Sequence, residues 1–163
     1  MATTRHGGLH GTQRNGSFAG RTAVTTLQVC HETRKALEAV VSGIATVTVC
    51  WPNRPAPTTG TFWRVLPIQW GKGSAYTMGS SSRLGVLTGR FIVEVYRKQG
   101  DGLGSLNDHA DAIRDAFNRL APSVASGMQL QVFVPSGPTP VTYSGFSGVR
   151  VVVPFEVVET ITD

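Results

Sequence analysis

The densest group of side chains that could do chemistry is Asp108, His109, Asp111 and Asp115, headed by Ser105. Carboxylates and an imidazole this close together are the donor types of a metal centre. Their spacing, however, is that of a helix, and acids in a first helical turn are stabilised by the helix dipole. Asp111 and Asp115, four residues apart, describe a solvated face. The cluster therefore reads as helix surface, and no metal is expected. Gly100-Asp101-Gly102-Leu103-Gly104-Ser105 follows a strand pattern and opens a helix, the setting of a dinucleotide-binding turn. Ser105 stands where the third glycine belongs, no strand ending in an acid follows about 20 residues on, and Asp101 would repel a phosphate. Gly71-Lys72-Gly73-Ser74 has none of the upstream glycine spacing of a P-loop, and no serine sits in a G-x-S-x-G elbow. His6 and His10 lie in a glycine-rich stretch where a spacing of four means nothing without a helix, and His31 reads as helix surface. Cys30 and Cys50 have neither CxxC nor zinc-like spacing and read as buried free thiols. With no catalytic apparatus, no cofactor site and no enzyme activity in view, function has to be sought in surfaces.

The elements that position those surfaces follow from periodicity. Met1 to Gly20 is rich in Gly, Ser, Thr, Asn and Arg, and has too few large apolar groups to offset the cost of ordering. It reads as a flexible basic arm, leaving 21–163 as a single domain. At 163 residues and 40% hydrophobic, the chain suits one core. A helix follows the arm, with Leu27, Cys30, Leu37, Val41 and Ile44 as its apolar stripe, Arg34 interrupting it and Gly43 as a stop. Strand patterns come next at Ile44 to Trp51, Thr61 to Gln69 and Arg83 to Lys98. Pro67 sends the second of these to a sheet edge or an early end. Pro52 to Pro57 forms a stiff loop, and Trp70 to Ser82 reads as a long Gly/Ser loop. Ser105 and Asp108 form an S-x-x-D capping box, and Leu106, Ala110, Ile113, Phe117 and Leu120 then lay one stripe along a second helix, Ser105 to Leu120. Met128 to Val134 reads as a fourth strand. After a Pro/Ser/Gly loop comes a fifth, whose Val149, Val151, Val153, Phe155 and Val157 share a face. The expected fold is α+β: a mostly antiparallel or mixed sheet of about five strands, with two helices packed on one face.

Charge is distributed unevenly. Met1 to Arg21 carries three arginines and no acid, and Cys50 to Gly100 holds seven cations against Glu94 alone. Asp101 to Asp163 holds three arginines against seven acids. A chain polarised in this way suits head-to-tail association, in which two different surfaces of one subunit meet. A basic nucleic-acid module is the competing reading, with Trp63, Trp70 and Tyr96 as possible stacking platforms. No RNP-like strand, zinc finger or KH-type loop supports it. No apolar run approaches the roughly 20 residues that span a bilayer, and the N-terminus lacks the apolar centre of a signal peptide. A soluble protein made in the cytoplasm, with no membrane partner, is expected.

Several local sequences, taken in order, resemble the tail terminator (tail completion) proteins of long-tailed bacteriophages. They are Tyr76-Thr77-Met78-Gly79 before the long strand, Phe91-Ile92-Val93-Glu94-Val95-Tyr96 leading to Gly100-Asp101-Gly102, Ala110 to Phe117 in the second helix, and Val151-Val152-Val153-Pro154-Phe155 at the end. The resemblance spans Thr22 to Thr160 and rests on the combination, since each motif is short and none is catalytic. It implies a virion structural protein at the tail–neck junction, assembled in the host cytoplasm. Such a protein forms a ring, usually hexameric, that caps the tail tube, ends its polymerisation and meets the head–tail connector or stopper protein. Genomic DNA would pass through the lumen without sequence recognition. Within that frame Trp70, Lys72, Tyr76, Met78 and Arg83 are the expected interface, being residue types enriched where proteins meet or charges that steer the meeting. A neck or head-completion protein is the nearest alternative.

Overall fold

A computed structural model describes residues 26–78, 82–100, 104–118, 124 and 127–162. The N-terminal arm lies outside them. In chain order the elements are α1 (Thr26–Ile44), β1 (Thr48–Cys50), β2 (Phe62–Val65), β3 (Gln69–Met78), β4 (Ser82–Lys98), α2 (Gly104–Asn118), β5 (Met128–Val132), β6 (Ser136–Tyr143) and β7 (Phe146–Thr162). The fold is α+β, as expected, but its mixed sheet has seven strands rather than about five.

The sheet is built on two long strands. β4 and β7 pair antiparallel along their whole length, from Ser82 opposite Thr162 to Lys98 opposite Phe146. Each outer edge of this ribbon carries two shorter strands end to end. β2 and then β3 line β4, while β6 and β5 line β7. β1 adds outside β2 in parallel. The breaks between edge strands sit at prolines, which cannot donate to a ladder. Pro67 ends β2 at Val65, the early end its position predicts. Pro154 of β7 lies between the stretches paired with β6 and β5, and its carbonyl accepts from the Phe133 N–H at 2.9 Å.

Three expectations require correction. Trp70 to Ser82 is not a loop: Gln69–Met78 is a strand hydrogen-bonded to β4. Its glycines and serines hide the period of two, yet an edge strand needs only backbone pairing. The Pro/Ser/Gly loop is likewise β6. Its prolines are tolerated at an edge, and a Ser144-Gly145 turn, both residues with positive φ, joins it to β7. The first strand is only Thr48–Cys50, because α1 runs past Gly43 to Ile44.

Both helices lie against one face of the sheet. On α1 the buried positions are Val29, Thr33, Leu37 and Val41, four residues apart. The stripe is thus set off from the one expected: Leu27 is exposed, Cys30 half-buried, and Arg34 lies beside the stripe rather than in it. On α2, Leu106, Ala110, Ile113 and Phe117 are buried as expected. Leu120 lies outside the described residues. The helix starts at Gly104, one residue before Ser105, so Asp108 falls beyond the first turn, and the dipole argument does not account for it. These side chains join Phe91, Val93 and Val95 of β4 and Val149, Val151, Val153, Phe155 and Val157 of β7 in one cluster. A smaller cluster of Cys50, Phe62, Tyr96 and Phe146 lies apart from it. No helix among the described residues is long and apolar enough to cross a membrane.

Candidate interaction surfaces

Glu94 alternates with the helix-facing residues of β4 and points to the opposite face of the sheet. Its neighbours across the strands are Arg64 on β2 and Arg150 on β7, so three charged groups form one row. Glu94 is 1% exposed. Arg150 donates to its Oε1 through Nε at 2.8 Å and Nη2 at 2.6 Å. The Tyr96 hydroxyl donates to Oε2 at 2.8 Å, and Arg64 Nη1 stands 3.8 Å from the same oxygen. Arg64 also lies over the Tyr143 ring, 4.3 Å from its centroid, and Tyr143 stacks at a tilt against Tyr96. Burial, then the hydrogen bond to Glu94, push the Tyr96 phenol well above its ordinary pKa. A carboxylate whose oxygens are already engaged is a clamp between strands rather than a general base.

The second surface is the free half of the central ribbon. From Phe91 to Tyr96 every residue of β4 is buried, whereas Leu84, Gly85, Val86 and Leu87 are all half-buried, whichever face they belong to. Trp70 stands where the two halves meet. It pairs with Gly89, which pairs with Phe155, and its ring meets Phe155 edge-on at 5.4 Å. Gly89 is required there: a Cβ would lie 2.4 Å from Phe155 Cζ. Beside it a hollow of about 520 Å³ is lined by Gln69, Trp70, Thr88, Arg90, Phe133 and Pro154. Trp70 is 37%, Phe133 43% and Val134 75% exposed.

Of the expected interface residues, Trp70 is accordingly half packed into the fold and half presented. Lys72, Tyr76, Met78 and Arg83 all lie on the β3–β4 hairpin, with Tyr76 opposite Leu84 and Arg83 opposite Thr77. Their side chains lie outside the described residues. Arg90 and Phe133 were not expected here. The sequence reading ran the fourth strand through Val134, whereas β5 stops at Val132 and leaves Phe133 and Val134 exposed.

Charge divides between the two sides of the molecule. Among the described residues, the helix-free face carries Arg64, Arg90, Lys98 and Arg150 against Glu94 and Glu156. The outer side of α2 carries Asp108, Asp111 and Asp115, with Arg114 bound to Asp111 at 3.3 Å. Arg97, on the helix side, donates to Ser105 Oγ at 2.8 Å.

No protein-family model and no curated protein matches this chain. A solved structure 18% identical in sequence superposes with a TM-score of 0.50, covering 80% of this chain and 92% of that one. At that identity the likeness is one of fold.

Proposed function

We propose that this chain is a tail terminator of a long-tailed bacteriophage: a virion protein that closes into a ring, a hexamer by its resemblance to that family, caps the tail tube and meets the head–tail connector or stopper protein. The observation that carries the reading is the half-covered end of the β4–β7 ribbon. Leu84, Val86 and Leu87 are apolar on both faces there, and Trp70, Arg90 and Phe133 are among the residues that line the hollow beside them. Aromatic and arginine side chains around a hollow are what a partner's anchor residues fill. The sequence resemblance supplies the identity of the partners: a second copy of this chain, then tail tube protein, then the connector. A basic sheet face and an acidic helix face favour heterologous contacts that close into a ring. Cations facing the lumen would touch DNA phosphates without reading sequence.

The test is the pair Phe133→Ser and Arg90→Glu, both on exposed side chains. Each is expected to keep the far-ultraviolet circular dichroism of the parent and to lose ring formation on tube ends. Rings of unchanged mass and tails of unchanged length in both variants would remove this surface from the account. A parent that stays monomeric with tube protein but is retained on DNA at low salt would favour the nucleic-acid module instead.

A further inference from the structure

The outer strands of the sheet are not alike. An edge strand offers unpaired N–H and C=O groups to any chain that can add to it, and proteins blunt such edges with brevity, proline, charge or a bulge. β1 is three residues long, and β6 carries Pro138 and Pro140. β5, Met128-Gln129-Leu130-Gln131-Val132, has no such device. β3 has Lys72 and a bulge between Trp70 and Gly73, which leaves residues 73–78 without one. Which backbone groups are free follows from antiparallel alternation, in which successive residues turn their N–H and C=O to opposite neighbours. The Thr160 N–H donates to the Gly127 carbonyl and the Phe133 N–H to that of Pro154, so the odd-numbered residues of β5 face β7. The backbone groups of Met128, Leu130 and Val132 therefore point outward. Carried across β7 and β4, the same alternation turns those of Ser74, Tyr76 and Met78 toward β4 and those of Gly73, Ala75 and Thr77 outward. No described strand pairs with either edge.

The two open edges match in level and direction. Met128 shares a row with Ala75 through Glu159 and Gly85, and Leu130 shares one with Gly73 through Val157 and Leu87. β5 runs with β4 and β3 with β7, so a second copy set beside the first by rotation about an axis along the strands lays its β3 antiparallel to β5. We infer that, in the ring proposed above, the β5 edge of each copy pairs with the β3 edge of the next, making one sheet continuous around the ring. The pairing rests on the ring reading and names the segments that join. Pairing of like edges in a two-fold dimer would leave one of the two open.

Hydrogen exchange of the assembled and the free full chain reads the two edges separately. The amides of Gly73, Ala75, Thr77, Met128, Leu130 and Val132 are expected to exchange at least about tenfold more slowly in the ring. Ala75→Pro removes one outward donor and leaves the ladder to β4 intact, so it should keep the parent circular dichroism and form no ring by light scattering. Exchange in the parent decides the matter even where this variant fails to fold. A ring whose outward amides exchange as fast as in the free chain, or an Ala75→Pro ring of parent mass, would overturn the pairing and leave the ring reading standing. Protection of one edge alone would also overturn it, since like edges or tube protein would then be the partner. A parent that forms no ring, alone or with tube protein, would overturn both.

Discussion

Glu94 and Arg150 are bound to each other, yet removing one is not equivalent to removing the other. Glu94 is 1% exposed, whereas the Arg150 side chain is 40% exposed and can turn to water. Arg150→Met leaves a buried carboxylate with Tyr96 and the more distant Arg64, and should cost about 3 kcal/mol, the low end for a broken buried pair. Glu94→Gln removes the buried charge itself and keeps an acceptor, and should cost about 1–2 kcal/mol. Urea denaturation of both variants checks the order; equal losses would mean the row is solvated in solution. Tyr96 gives a pH prediction. Its folded pKa lies above the ordinary value of about 10, so the phenol contributes stability that is fully present below pH ~10 and declines as pH rises beyond it. The ultraviolet titration difference between parent and Tyr96→Phe should lack a step near pH 10, and the variant should lose less stability above that pH. A normal step at pH 10 would contradict the buried hydrogen bond to Glu94. At this scale the sequence was a poor guide: Glu94 stood out only as the single acid in a basic stretch. Its partners are 30 residues before it and 56 after it, brought together by register that no local pattern contains.

The elements were legible in proportion to how far burial had written a period into them. β4, β7 and α2 each present one apolar face to the same core, so alternation or a helical stripe survives in their sequences. β3 and β6 lie at sheet edges and are held through their backbones, which leaves Gly, Ser and Pro free to disguise them as loops. α1 was found, but its face was displaced because Thr33 is buried and Leu27 is not. Register explains Gly89 as well. It lies between Trp70 and Phe155 in one row, and its missing side chain lets the Phe155 ring cover the strand. Gly89→Ala should therefore cost about 1–3 kcal/mol by overpacking, a fall in Tm of several degrees for a chain of this size. Scanning calorimetry reads the effect directly; an unchanged Tm would mean that the ring does not lie over Gly89.

For the whole molecule, the linear charge polarity of the sequence becomes a polarity of faces, with cations on the helix-free side of the sheet and acids on the outer side of α2. Contacts between those faces are screened over about 10 Å at 0.1 M salt, so association should weaken as salt rises even though the fold persists. The sequence displayed the charge blocks but not the half-covered end of the ribbon, because exposure there depends on tertiary packing that no local pattern contains. The measurement closest to the central claim is the mass of the purified full chain in solution by light scattering over a range of concentrations, alone and with tail tube protein. The account predicts a closed ring, either standing or formed when tube protein is added. A chain that remains monomeric under both conditions would contradict it.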